Sequence, residues 1–347
     1  MSTIPASTPA PGSHAGLPVN EGEQPAAPAA GMDVNISDEE YQRAAVRWSS
    51  EFLFLPVLEC QETLKYMTGM ANCTAPVKIP TVDGKAQMAP FDALRESSGQ
   101  TEIIFRELVP YLGNVALPFV PANYINLIIG QGPNLGDGQT KTPLVKLVIG
   151  AAMKSIGAHL HDALWTAKRN PAGTTTADLF DGWLTILEKE TEAGNLSAEK
   201  GNLLENVPEI TAANAVDIFK KIERACAPEL RNQKKFLFCA PEHYDAYCDG
   251  YLMTHTATPY NKEYDQPLLE GSGGKTTIVP LPGLAGQNTI IVTPKSNMVY
   301  GYDNMSNTSR LELLKKGHWT WSLGAAMWFG CQFRTLDRRM LNVAKIA

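Results

Sequence analysis

Leu144-Val145-Lys146-Leu147-Val148-Ile149-Gly150-Ala151-Ala152-Met153-Lys154-Ser155-Ile156-Gly157-Ala158-His159-Leu160-His161-Asp162-Ala163-Leu164-Trp165-Thr166-Ala167-Lys168 decides how the rest of the chain is read. Pro143 stands at its mouth, where a missing backbone N–H costs a helix least. The stretch predicts one unbroken helix of about seven turns. Turning by about 100° per residue places Lys146, Gly150, Lys154, Gly157 and His161 on one narrow stripe. Nearly every other position is apolar, over far more than the arc a surface helix buries, so the helix is expected to be covered on most sides. It reads as a spine with one basic ribbon left for solvent or a partner.

The second strong signal lies near the end. Trp319, Trp321, Leu323, Ala325, Met327, Phe329, Cys331 and Phe333 are apolar at alternate positions, with Trp328 the exception among the residues between them. That period predicts a strand sustained for about fifteen residues, unless Gly324 or Gly330 bends it.

Between and around these two elements the texture varies. Residues 1–31 are rich in Pro, Ala, Ser and Gly with almost no large apolar side chain, so burial cannot offset the entropy of ordering them. They are expected to form a flexible arm. Ser37-Asp38-Glu39-Glu40 is a capping box opening a helical pattern. A second helix is expected from Val57 to Met70. From Cys73 to Asn123 prolines at 76, 80, 90, 110, 118 and 121 punctuate short extended pieces, which argues against a central sheet strand. A weakly cored segment of that length is expected to pack against another subunit. A Gly-rich loop, 130–138, leads into the spine. Beyond it come a helix at 212–227, a buried strand at 236–239, a helix opened by Pro241, and strands at 276–279, 289–293 and 298–302. Helices and strands mix without regular alternation, which gives an α+β class.

Composition narrows the function. The chain has 347 residues and a net charge of −6, which argues against a protein devoted to neutralising nucleic-acid phosphates. It shows no membrane-spanning run and no apolar core of a signal peptide at its start. The six cysteines lack CxxC spacing and read as reduced packing thiols, with no metal site.

Catalytic patterns fail on inspection. Gly271-Ser272-Gly273-Gly274-Lys275-Thr276 has Leu269 where a phosphate-binding loop needs its first glycine, and a strand pattern follows where a helix is required. His159 and His161 lie on different helix faces. Glu242, His243, Asp245 and Asp249 read as the solvated face of a tyrosine-bearing helix. No catalytic, cofactor-binding or metal residues are assigned.

The order of these parts resembles the tailed-phage major capsid protein family, with its Hong Kong 97-like fold. Leu160-His161-Asp162-Ala163-Leu164-Trp165 followed by Leu179-Phe180-Asp181-Gly182-Trp183-Leu184 is similar to the spine end and following turn of that family. Asn297-Met298-Val299-Tyr300-Gly301-Tyr302-Asp303 and the final long strand resemble its closing segment. The resemblance implies a flexible arm at 1–35, a helical segment at 36–72 and an extended loop at 73–123. A peripheral domain with the spine follows at 124–172, then an axial domain at 173–300 and return strands to the peripheral domain at 301–347.

It further implies a structural protein, not an enzyme. The expectation is a major capsid protein that self-assembles as hexamers and pentamers into an icosahedral shell around double-stranded DNA. Scaffold, portal and decoration proteins are the expected partners, with no membrane and no cofactor. Assembly would occur in the host cytoplasm and the protein would reside in the virion capsid. In the family the spine lies on the inner side of the shell, so Lys146, Lys154 and His161 are expected to face the lumen and make weak, non-specific contact with packaged DNA. Family members that cross-link a lysine to an asparagine draw attention to Lys85 and Asn342, but no motif places a catalytic carboxylate with them. A bacterial nanocompartment shell of the encapsulin type is the nearest alternative. A soluble nucleotide-using enzyme, resting on Lys275 alone, is a remote one.

Overall fold

In the computed structural model the described residues are 55–84, 101–120, 141–254, 267–303, 311–317 and 320–347, without the side chains of 101, 119, 141–149, 254 and 313. The arm at 1–35, the helix after Ser37, the loop at 130–138 and Trp319 lie outside them.

A helical run at 55–59 turns at Cys60 and continues as α1, Gln61–Leu64. The expected helix stops there. Thr68–Met70 is instead a strand, β1, because its backbone groups find partners on a strand more than two hundred residues away. Val77–Gly84 (β2) and Thr101–Leu108 (β3) form an antiparallel hairpin in register from Val77↔Leu108 to Gly84↔Thr101. Tyr111–Phe119 (β4) then leaves the hairpin.

The spine is α2, Lys141–Thr166. Its second half buries Met153, Leu160, Ala163, Leu164 and Trp165. Ala151, Lys154, Ser155, Ala158, His159 and Asp162 stay exposed in the single chain, so coverage on most sides does not hold for this half. Alanine and glycine widen an apolar arc in sequence but lose little when left in water.

A short 3-10 turn, Thr176–Asp178, leads to α3, Trp183–Glu192. There follow β5 (Leu203–Val207), α4 (Ala215–Ala225), α5 (Pro228–Arg231), β6 (Lys235–Cys239) and α6 (Pro241–Thr254). The chain finishes with β7 (Thr276–Pro280), β8 (Thr289–Thr293), β9 (Met298–Asp303), β10 (Leu311–Lys315), β11 (Trp321–Phe333) and β12 (Asn342–Ile346).

The long strand β11 organises the first sheet. β4 runs antiparallel along one side of it from Trp321↔Phe119 to Phe329↔Tyr111. β10 and then β9 share the other side, and β1 lies parallel to β9. Of the alternate apolar positions, Trp321, Leu323, Ala325, Phe329, Cys331 and Phe333 are buried and Met327 half-buried, while Ser322 and Gly330 between them are buried as well. The segment 73–123 therefore needs narrowing, because β4 is part of this sheet and only the hairpin stands apart. Pro118 is tolerated because β4 pairs only with β11 among the described residues, leaving an edge free of ladder donors.

The second sheet has the order β5-β12-β8-β6-β7. Residues 301–347 do not all return to one sheet: β9, β10 and β11 lie in the first, whereas β12 inserts between β5 (parallel) and β8 (antiparallel). One face of this sheet is covered by α4 and α6 through Ile218, Phe219, Ile222, Tyr247 and Tyr251. Its other face joins the cluster that includes the spine, with Phe238 ringed by Trp165 and Tyr66 at centroid distances of 6.0 and 6.2 Å. Between α3 and β11, Trp183 meets Phe333 edge to face at 4.8 Å and Phe180 meets Phe329 at 5.0 Å.

Candidate assembly surface

The two faces of the β2–β3 hairpin differ in kind. Strand period two sorts Ile79, Thr81 and Asp83 with Ile104, Arg106 and Leu108 on one face, and Pro80 and Val82 with Ile103 and Phe105 on the other. On the first face Ile79 and Leu108 are buried with Cys73 and Val299. Polar contacts complete the attachment. Arg106 donates to Glu190 of α3 at 2.6 Å, to Gln332 Oε1 at 3.0 Å and to the Phe333 carbonyl at 3.1 Å. The Thr81 hydroxyl donates to the Arg334 carbonyl at 3.3 Å, and Arg339 pairs with Asp83 at 2.9 Å while also holding Asp337.

The charges are set by this geometry. Burial alone would raise the Glu190 carboxyl, but hydrogen bonds from Arg106 and Asn195 outweigh it and hold the group below the ordinary carboxylate range. Hydrogen bonds from Arg339 lower Asp337 in the same way.

The second face has no such covering. Val82, Ile103 and Phe105 are 62%, 53% and 57% exposed, with Pro80 exposed beside them. Val82 is directly opposite Ile103, and Pro80 directly opposite Phe105, so the four side chains form one apolar patch on a ribbon whose reverse face is fastened down.

The spine stripe divides. Gly157 is where the 55–64 helical segment crosses α2: a methyl group there would lie 2.7 Å from Glu59 Cβ and 3.0 Å from Pro56 Cα. The Cys60 thiol donates to the Gly157 carbonyl at 3.4 Å, and His161 Nε2 shares a 2.8 Å hydrogen bond with the Thr63 hydroxyl. His161 is thus engaged by its own chain. Lys154 is exposed, 3.7 Å from Glu59, a solvated pair of small energetic consequence. The Lys146 side chain lies outside the described residues.

The remaining sequence candidates separate. In the 271–275 turn Gly271, Gly273 and Gly274 have positive φ, Lys275 Nζ reaches Asn232 Oδ1 at 3.3 Å, and β7 follows, so no helix N-terminus faces the loop. His243 is half-buried in the first turn of α6, and burial lowers its basicity despite Glu242 beside it. Cys60 and Cys226 are pushed up to about 12, chiefly by burial, and burial raises Cys239 and Cys331 too, so these thiols stay protonated. Among the described residues no cluster of metal-ligating side chains occurs, and no helix is long and apolar enough to cross a membrane. Sequence reasoning missed the anchor residues Arg106, Glu190 and Arg339. The bonds that tie the hairpin down, Arg106 to Glu190 and Arg339 to Asp83, join residues 84 and 256 positions apart, which no local pattern marks.

No family model and no curated protein matches the chain. Among solved structures it resembles a chain of the satellite phage P4 procapsid including size determination (Sid) protein. That match has 12% identity and a TM-score of 0.57, over 84% of this chain and 90% of the other. It also resembles the capsid of an empty GTA particle, with 11% identity and a TM-score of 0.51, over 83% of this chain and 90% of the other. At such identities the likeness speaks to architecture, and it covers more than four fifths of the chain: the chain has the Hong Kong 97-like capsid fold.

Proposed function

We propose that this chain is a major capsid protein that tiles a closed icosahedral shell around the double-stranded DNA of a tailed phage. The observation that carries this reading is the one-sided hairpin. A ribbon fixed to its own subunit by Arg106, Thr81 and Asp83, with Pro80, Val82, Ile103 and Phe105 left in water, fits a shell whose neighbours cover what each subunit leaves open. The similarity in fold to capsid structures supports the same reading. The role is structural, carried by interface geometry, and its partners are further copies of the chain as hexamers and pentamers. Scaffold, portal and decoration proteins would complete the particle, which is assembled in the host cytoplasm.

Replacing residues 80–105 by a short Gly-Ser turn keeps Ile79, Arg106 and Leu108 and removes the patch. The expected product is a folded, soluble monomer that forms no shells by electron microscopy, while the intact chain forms them. Shells from the shortened chain would overturn the role of the hairpin. Global unfolding would place the hairpin in the subunit core instead.

The spine contributes to the same reading through its charge. With His161 engaged by Thr63, the proposed lumen-facing ribbon reduces to Lys146 and Lys154, two cations whose weak, salt-screened attraction reads no sequence. Changing both to Gln is expected to leave assembly intact and to alter the salt sensitivity of DNA-filled particles.

A further inference from the structure

The second sheet and its helices carry opposite charge at opposite edges. At the β7 edge the turn 271–275, the end of α4 and α5 meet: Lys235 N–H donates to the Lys275 carbonyl at 2.9 Å, Lys275 Nζ to Asn232, and Lys220 pairs with Glu270 at 3.1 Å. This leaves Lys221, Arg224, Arg231 and Lys234 exposed and Lys275 half-buried on one corner, with Glu229 the exposed carboxylate among them. None of Lys221, Arg224, Arg231 and Lys234 makes an ion pair among the described residues. Glu223, which would otherwise offset them, is buried against Lys235 at 2.8 Å.

The opposite corner is mainly acidic, with half-buried Lys345 on β12 the cation beside it. Glu205 on the edge strand β5, Glu209 just beyond it and Asp217 in the first turn of α4 are all exposed. Asn214 fastens this corner, donating to the Glu209 carbonyl at 2.9 Å while its Oδ1 accepts from Thr211 N–H at 2.8 Å. Helix α4 joins the two corners: Asp217 and Arg224 lie about 10 Å apart along it at 1.5 Å per residue, with Lys221 between them one turn from Asp217. A chain of net charge −6 has therefore concentrated cations at one end of this helix and carboxylates at the other.

The geometry points to a head-to-tail contact between copies of this chain, in which the Arg224, Arg231, Lys234 and Lys275 corner of one subunit meets the Glu205, Glu209 and Asp217 corner of the next. Two different, mutually complementary patches on one molecule form a heterologous interface, which closes into a ring when the rotation between copies closes. Complementary charge sets register and rejects the reversed docking, in which like corners would meet. The inference rests on the shell-forming reading and specifies which side of one subunit receives the next.

The test reverses the corners in the full-length chain. One variant carries Arg224→Glu, Arg231→Glu and Lys234→Glu, and another carries Glu205→Lys, Glu209→Lys and Asp217→Lys. All six positions are exposed, so both chains should fold, with a melting temperature lowered only slightly by reversing Asp217 or Arg224 at the helix end that suits its charge. Each alone is expected to raise the protein concentration needed for shell formation at least about tenfold. The chain carrying all six changes is expected to assemble again. Mixing the two three-fold variants in equal amounts is expected to restore rings of six, in which the variants can alternate, while a ring of five keeps one like-charged contact; this arm stands if the six-fold variant misfolds. Normal assembly by either three-fold variant alone, or no rescue in both complementation arms, would overturn the inference. Normal assembly with loss of co-purifying DNA would assign the basic corner to nucleic acid instead. A wild-type chain that never forms shells would overturn the shell reading itself.

Discussion

Arg106 Nη2 lies 2.6 Å from Glu190 Oε1, joining the root of the β2–β3 hairpin to helix α3 across 84 positions of sequence. Both side chains are largely shielded, at 17% and 19% exposure, so the pair is more than a solvated surface contact. Its pH dependence follows from sign. The folded-state carboxyl titrates below its unfolded value, so its contribution is complete above the unfolded value of about 4.3 and is lost as pH falls through the folded one. Arg106→Met removes the main partner. Between about pH 5 and pH 3 the denaturation midpoint of the wild type should fall more steeply than that of Arg106→Met, and parallel curves would show that the pair contributes nothing.

Two glycines of the spine make a matched experiment. A Cβ at Gly157 meets Glu59 and the Pro56 backbone at 3.0 Å or less, whereas one at Gly150 meets nothing within 4 Å. Gly157→Ala should destabilise by about 1 to 3 kcal/mol, the range for forcing extra volume into a packed contact. Gly150→Ala should stabilise by about 0.5 to 1 kcal/mol, because the helix loses a glycine without a clash. Thermal melts of the two variants should therefore move in opposite directions.

Lys235 and Glu223 are 0% and 4% exposed and 2.8 Å apart, and Thr276 donates a further hydrogen bond to Glu223 at 2.9 Å. Removing one partner strands the other charge in the interior. Lys235→Met alone should cost about 3 to 5 kcal/mol, while Lys235→Met with Glu223→Leu should recover most of that loss. Equal costs for the single and double changes, measured by denaturant unfolding, would refute the coupling.

The exposed face of the hairpin gives a prediction in which stability and assembly part company. Val82→Asp with Phe105→Asp alters side chains that are mostly in water, so the monomer should change by less than about 0.5 kcal/mol. Shell formation should nonetheless fail, because the apolar patch would then carry two charges. Assembly at wild-type levels, followed by light scattering, would show that the patch stays in water.

Much of this architecture was legible because its longest elements repeat their period often enough. The spine runs 26 residues and β11 runs 13, and both announce themselves in the order of apolar side chains. The strands that escaped notice, β1, β5, β10 and β12, have three to five residues each, too few for a period to stand out. β4 escaped for another reason: Pro118 reads as a breaker, yet it sits on an edge where no donor is missed. At the candidate surface, the extended character of the stretch from Thr101 was readable in the sequence, and its pairing into a hairpin and its fastening were not, because Arg106, Glu190 and Gln332 come together only through tertiary packing. The stripe of Lys154, Gly157 and His161 was likewise visible in sequence, whereas its crossing by residues 55–64 was not.

The place of β12 has a consequence for synthesis. As the chain leaves the ribosome, β5 and β8 emerge with a gap between them that only residues 342–346 can fill, and both neighbours depend on that strand for ladder hydrogen bonds. Closing a sheet through contacts so distant in sequence is slow, and it waits for the chain. On the shell-forming reading proposed above, a nascent subunit has no finished second sheet to offer a neighbour until residues 342–346 have emerged and paired.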